Sequence, residues 1–93
     1  MTLQRMTVHY KGRLQDIGFP FTAENLAKRF GVGGMMENRP DGSIELIIEG
    51  FENQLKELLT AIRLSHLERY ILSEQIFRAA ATGEFKGHFC VKH

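Results

Sequence analysis

The sequence predicts a two-layer α+β sandwich in which an antiparallel sheet carries two helices on one face. Three observations lead to this prediction. The apolar residues change from the two-residue period of a strand to the 3.6-residue period of a helix, a Pro-Asp-Gly turn joins two extended segments, and a second helical stripe follows. The 93 residues suffice for one domain, taken as residues 1–93. About two-thirds of the unfolded chain's surface would be buried on folding.

The first half of the chain is predicted as strand, helix and hairpin. Residues alternate between apolar and polar from Met6 to Tyr10, which is typical of a half-buried strand, and Met6–Arg13 is predicted as that strand. Phe21–Phe30 is predicted as a helix, because apolar residues recur at i, i+3, i+4 and i+7 from Ala23 to Phe30. Gly31 follows as a residue that typically ends a helix. Val32–Asn38 and Ser43–Glu49 are predicted as the two strands of the hairpin.

The second half begins with a clear helix and becomes ambiguous after it. Phe51–Arg63 carries the second apolar stripe. Leu67–Ser73 fits either a continuation of that helix or a strand, Ala79–Gly83 is interpreted as a connector, and Phe85–Val91 as a closing strand with Phe89 and Val91 inward. A strand at Leu67 gives the order β-α-β-β-α-β, the ferredoxin-like arrangement, whereas a continued helix gives another topology.

Composition narrows the classes of function. Twelve Lys and Arg against eleven Asp and Glu give a net charge of +1, which excludes a strongly basic nucleic-acid arm and an acidic disordered tail. The single cysteine, Cys90, excludes an intrachain disulfide and a paired-cysteine metal site, and we expect it to be buried. No metal site is expected from the histidines, which lack close ligand spacing: His9, His66, His88 and His93.

We expect a monomeric cytoplasmic protein without membrane association. The longest apolar run, Leu46–Ile48, is far shorter than the roughly 20 residues of a membrane span. Residues Met1–Arg5 lack the apolar stretch of a secretory signal.

The segment between the first strand and the first helix is the candidate functional loop. Gly12 and Gly18 allow Gly12–Pro20 to bend, and a bent loop before a helix can direct several backbone N–H groups at an anion. The same residues also fit a loop that only changes the direction of the chain.

These residues resemble the acylphosphatase family. Gly12–Pro20 resembles its signature GxVQGVGFR, and Gly34–Asn38 resembles its G-W-V-x-N. Pro40–Glu45 is similar to the family's D-G-x-V-E hairpin, and Glu49-Gly50 to the E-G before its second helix. The resemblance is specific up to Gly50 and looser towards the C-terminus. It implies a strand at Leu67–Ser73 and therefore the ferredoxin-like topology.

The resemblance also implies a reaction. Family members hydrolyse the carboxyl-phosphate bond of small acyl phosphates without metal or cofactor. Loop N–H groups and an arginine hold the phosphoryl oxygens, and an asparagine on the second strand positions the attacking water. Carried across, Asn38 is the water-positioning residue, although on pattern alone it also fits a polar hairpin residue. The anion-binding residues are Gln15, Asp16, Ile17, Gly18 and Phe19, and the ligand is an acyl phosphate, inorganic phosphate or sulfate.

Two departures from the signature bear on activity. Pro20 occupies the arginine position, and proline has neither a guanidinium nor a backbone N–H, although it fits the first turn of a helix. Asp16 stands where the family has glycine; its carboxylate would repel a phosphate, unless it points to solvent and merely complements the helix start. Lys11 and Arg13 are the nearest replacement cations in the sequence.

Three hypotheses follow for function. The first is an acylphosphatase-family protein with an anion-binding loop and strongly reduced or absent hydrolysis, because Pro20 replaces the catalytic arginine. The second is an active acylphosphatase that uses a displaced cation. The third, a partner- or RNA-binding ferredoxin-like module, is disfavoured because Ile44–Glu49 offers no stacking aromatics and the net charge is near zero.

Overall fold

The computed structural model describes residues 3–14 and 16–92 as a five-stranded sheet with two helices packed on it. A short 3₁₀ turn, Glu68–Tyr70, precedes the fourth strand. The elements in chain order are β1 (Leu3–Gly12), α1 (Phe19–Arg29), β2 (Gly33–Asn38), β3 (Ile44–Phe51), α2 (Glu52–Leu64), β4 (Ile71–Ala80) and β5 (Phe89–Lys92). The strand order is β4-β1-β3-β2-β5, so the predicted ferredoxin-like topology is confirmed and the continued helix is excluded.

One part of the fold prediction is wrong, because the sheet is mixed rather than antiparallel. Strand β5 runs parallel to β2, with Phe89 opposite Gly34. The connection explains this direction: β4 ends opposite the start of β1, where Ala80 pairs with Gln4. From there the chain crosses that end of the sheet and enters beside the start of β2, so β5 must run in the same direction as β2.

The other predicted elements are present. The ends of β1, α1, β2, β3 and α2 lie within three residues of the prediction, whereas the closing strand predicted from Phe85 begins only at Phe89. The predicted connector Ala79–Gly83 begins inside β4, and the strand predicted from Leu67 begins only at Ile71. Cys90 is exposed rather than buried, because the side chains on either side of it in β5 turn inward and strand residues alternate between faces.

The core lies between the helices and the face of the sheet that they cover. Alternate residues of the neighbouring strands β1 and β3 are almost completely buried: Met6, Val8 and Tyr10 in β1, and Ile44, Leu46 and Ile48 in β3. The helices contribute the predicted stripes, with Ala23 and Ala27 buried in α1 and Leu55, Leu58, Leu59 and Ile62 buried in α2. No helix within the described ranges is long and apolar enough to cross a membrane.

The end of the sheet where β5 begins is held by Glu49, a carboxylate at the end of β3. Its side chain is 8% exposed and accepts hydrogen bonds from Arg5 Nε at 2.7 Å, Thr82 N at 2.8 Å and Gly83 N at 3.0 Å. Burial raises the pKa of Glu49, but these hydrogen bonds outweigh it and leave the pKa below its usual range. Glu49 thus fixes the connection from β4 to β5.

Gly34 is required where β2 approaches β3. A Cβ at this position would clash with the carbonyl oxygen of Ile47 and lie 3.0 Å from the Cα of Ile48. We expect Gly34→Ala to lower the free energy of unfolding by about 1–3 kcal/mol, as overpacking does. Gly50→Ala is the matched control, because its Cβ would meet only side-chain atoms at 3.4 Å. Urea titrations of both variants measure the difference, and equal effects would contradict the argument.

Glu49 makes the stability of the protein dependent on pH. A carboxyl group whose pKa is lower in the folded than in the unfolded state stabilises the fold above its unfolded pKa of about 4.3. That contribution is lost as the pH falls through the folded pKa. We therefore expect Glu49→Gln to cost about 1–3 kcal/mol at pH 7, with the deficit shrinking below pH 4. Denaturant titrations across this range test it, with Glu57→Gln on the exposed side of α2 as the charge-matched control.

Candidate functional site

The candidate loop connects β1 to α1 and bends through two left-handed residues. Asp16 has φ 63° and Gly18 has φ 77°, and Gly18 is the N-cap of α1. Asp16 is exposed and adopts the conformation for which glycine is preferred and aspartate is tolerated. Gln15, which is predicted to bind the anion with its neighbours, lies outside the described residues.

No side chain of the described residues caps the N-terminus of α1, which is the positive end of the helix dipole. Gly18 provides no side-chain cap, and the first turn contains no acidic residue. Phe19, the first residue of the helix, is fully buried. Its ring centroid lies 5.2 Å from that of Tyr10, and this packing fixes the start of the helix. Pro20 is half-buried in the first helical turn, and the first helical hydrogen bond runs from Thr22 N to Gly18 O at 3.0 Å. The partial positive charge of the helix end therefore faces the loop.

Asn38 lies at the same end of the sheet as the loop. Ile44 pairs with Tyr10 on one side and with Asn38 on the other, so these three residues form one row across β1, β3 and β2. Directly paired residues share a face, so the Asn38 side chain projects from the face that the helices cover. It is exposed and makes no hydrogen bond with any residue in the described ranges.

An open cleft of about 370 Å³ separates the loop from the β2–β3 turn. Gly12, Arg13 and Leu14 line one side, and Pro40–Gly42 the other. The Asp41 carboxylate accepts hydrogen bonds from the Ser43 hydroxyl at 2.6 Å and from the Ser43 N–H at 2.9 Å, which lower the pKa of Asp41. The cleft therefore carries the Arg13 cation on one side and a carboxylate that is already stabilised as an anion on the other.

Two candidate cations flank the loop, and both are exposed. Within the described ranges neither Lys11 nor Arg13 forms an ion pair. Arg39 is engaged instead, since its guanidinium lies 2.6 Å from the Glu45 carboxylate. The described residues contain no cluster of side chains that could hold a metal ion.

A turn distant in sequence supports the loop at two points. The Arg13 N–H donates to the Tyr70 carbonyl at 3.1 Å, and a Cβ on Gly12 would clash with that same carbonyl. His66 Nε2 lies 3.0 Å from the carbonyl oxygen of Ile17. This contact could not be predicted from the sequence, because a side chain 49 positions away has no local periodicity or spacing that points to the loop.

The face of the sheet opposite the helices bears on the RNA-binding hypothesis. Phe77 is 53% exposed, and its ring centroid lies 5.3 Å from that of His9. His9 Nε2 and the Arg39 guanidinium both contact the Glu45 carboxylate. This face thus carries the exposed Phe77 ring, and both His9 and Arg39 already contact a carboxylate.

Comparison with known proteins identifies similar chains. A family model described as acylphosphatase matches residues 6–89. A curated acylphosphatase of Thiobacillus denitrificans is 32% identical over 89 residues, which cover 91% of this chain and 93% of that protein.

Solved structures show the same fold. The crystal structure of acylphosphatase from Bacillus subtilis superposes with a TM-score of 0.83 at 22% identity, covering 97% of this chain and 99% of that one. Full-length HypF in its phosphate- and nucleotide-bound form gives a TM-score of 0.87 at 21% identity. That match covers 98% of this chain but 12% of HypF, so the fold also occurs as a small part of a much larger protein.

Proposed function

This chain belongs to the acylphosphatase family, and on that premise we propose that its β1–α1 loop binds a phosphoryl group but supports little or no hydrolysis. The ligand is a small acyl phosphate, inorganic phosphate or sulfate. The observation that carries the proposal is Pro20 in the first turn of α1, two residues after the left-handed Gly18. Residues 15–19 supply the anion-binding backbone in this proposal.

Backbone groups and a helix end suffice for weak anion binding. The N-terminus of α1 carries partial positive charge, and no acidic side chain of its first turn cancels it. Pro20 itself contributes no donor. Asp16 opposes the bound charge from an exposed position, where solvent screens the repulsion.

Hydrolysis requires more than binding. Phosphoryl transfer depends on positioning and on stabilising charge that spreads over the equatorial oxygens, and an arginine at such a site contributes about 10³–10⁵ in rate. Proline lacks the guanidinium that would contact two phosphoryl oxygens. Asn38 is the proposed water-positioning residue; its exposed side chain makes no hydrogen bond in the described part of the chain. The proposed reaction uses no metal or cofactor.

The placement of Arg13 favours a second candidate function, an active acylphosphatase with a displaced cation. Arg13 lines the cleft beside the loop and forms no ion pair with the described residues. The hydrogen bond from its N–H to the Tyr70 carbonyl fixes the backbone from which the Arg13 side chain extends beside the loop. The two candidates differ in whether the unmodified protein hydrolyses an acyl phosphate.

Phosphate titration tests anion binding by the loop. We expect millimolar phosphate to shift the backbone amide resonances of Asp16, Ile17, Gly18 and Phe19 in ¹H–¹⁵N spectra, because these groups surround the proposed site. Asp16→Gly should tighten binding, since it removes a like charge and glycine adopts the same φ without strain. Glu57→Gln, which removes one negative charge on α2, controls for net charge. Loop amides that stay unmoved in all three proteins would show that the loop only changes the direction of the chain.

Restoring the cation tests the role of Pro20. We expect Pro20→Arg to raise benzoyl phosphate hydrolysis above the unmodified protein, and its combination with Asp16→Gly to raise it further, by about 10² or more. That is below the full arginine contribution, because the surrounding residues are not tuned to the new side chain. Pro20→Gln is the matched control, which also removes the proline but brings no charge. Asn38→Ala in the double variant should abolish the gain.

Two outcomes would contradict this proposal. The first is an unmodified protein as fast as the double variant; a loss of that activity in Arg13→Gln would then establish the second candidate function. The second is a folded double variant without any gain, which would mean that the loop does not have the geometry for catalysis. Circular dichroism confirms that each variant is folded.

A further inference from the structure

We propose that His66 is a positioning residue that fixes the direction of the peptide between Ile17 and Gly18. This inference rests on the proposed function, because the loop is the proposed anion-binding site. His66 lies outside that loop, in the turn between α2 and β4.

The contact is a directed hydrogen bond. His66 Nε2 lies 3.0 Å from the Ile17 carbonyl oxygen. A carbonyl oxygen only accepts, so the imidazole nitrogen that faces it must carry the proton and donate. The Ile17 carbonyl is thereby held towards the turn that follows α2.

His66 itself projects from a fixed part of the fold. The next residue, Leu67, is fully buried in the core. On its other side, Ser65 Oγ donates to the Ile62 carbonyl at 2.6 Å and accepts from the Leu67 N–H at 3.2 Å. The backbone that carries the imidazole is therefore anchored from both directions, although the imidazole ring is exposed.

The direction of the carbonyl determines the direction of the next N–H. No peptide bond in the described chain is cis, and in a planar trans peptide the carbonyl and the following N–H point to opposite sides. With the Ile17 carbonyl held by His66, the Gly18 N–H points away from the turn. Within the described residues the Gly18 N–H donates no hydrogen bond, so it is available to a ligand on that side.

Among the described residues no other hydrogen bond holds this peptide. Gly18 has φ 77° and no side chain, and the space where a Cβ would lie has no atom within 4 Å. Glycine adopts many backbone conformations at similar energy. A rotated peptide would present the Ile17 carbonyl, the negative end of the peptide dipole, to the anion in place of the Gly18 N–H. His66 disfavours that rotation.

Two substitutions of His66 separate the hydrogen bond from other effects. In His66→Gln the side-chain nitrogen stands as many bonds from Cα as Nε2 of histidine, so it can still donate to Ile17. In His66→Asn the amide chemistry is the same, but the nitrogen is one bond nearer to Cα and does not reach. The readouts are the ¹³C′ shift of Ile17, the amide shift of Gly18, and the phosphate dissociation constant from the same spectra.

We expect His66→Gln to match the unmodified protein in all three readouts. In His66→Asn the Ile17 ¹³C′ and Gly18 amide resonances should shift, and phosphate should bind about 2- to 10-fold more weakly, the range expected for one lost hydrogen bond. Unchanged resonances and affinity in His66→Asn would overturn the proposal, as would equal impairment in both variants. If the unmodified protein binds no phosphate, the proposed function fails; the Ile17 and Gly18 resonances then still decide whether His66 fixes the peptide.

Discussion

The antiparallel pairing of β1 with β3 is the constraint on which the other features depend. The two strands pair continuously from Leu3 opposite Phe51 to Tyr10 opposite Ile44. Because paired residues share a face, this register places every second residue of both strands under the helices. It also fixes where β1 ends relative to Asn38, since Ile44 pairs with both Tyr10 and Asn38. A shift of one residue would bury charges and separate the loop from the hairpin.

The fold and the chemistry of the site are largely independent. Pro20 occupies a helical position where its fixed φ is favourable, so a proline at the position proposed to lack the arginine is compatible with α1. Asp16 adopts the left-handed conformation without a glycine, so the loop keeps its course there as well. A chain can therefore retain the family fold while the groups that act on a phosphoryl oxygen change.

Hydrophobic periodicity and turn residues predicted the elements that are determined by the local sequence. The stripes of α1 and α2 and the β2–β3 hairpin could be predicted because their signals lie within one window of residues. The parallel direction of β5 could not, since it follows from where β4 ends and where the chain crosses the sheet. The prediction that Cys90 is buried is wrong for a related reason: its neighbours are apolar, but residues alternate between faces along β5, which places Cys90 on the other face.

In the candidate site, too, the local features could be predicted from the sequence and the contact between distant residues could not. The left-handed backbone at Gly18 and the turn at Gly42 agree with their residue types, whereas the contact of His66 with Ile17 joins residues 49 positions apart. A single sequence reports such a contact only through a family pattern, and His66 belonged to none of the motifs that carried the resemblance. The hydrogen bond between His66 and the Ile17 carbonyl is therefore known only from the three-dimensional structure.

The charges around the loop make its backbone direction important. The chain carries a net charge of +1, and in the cleft the Arg13 cation faces the Asp41 carboxylate. With proline at position 20, the oriented N–H groups and the end of α1 are the sources of positive potential within the proposed binding loop itself. Each N–H group then contributes a larger share of the electrostatic attraction for the anion than it would in a site that also contains a guanidinium. Reversing one peptide would both remove a donor and add a repelling carbonyl, so a single hydrogen bond from His66 has more influence on such a site than on one with an arginine.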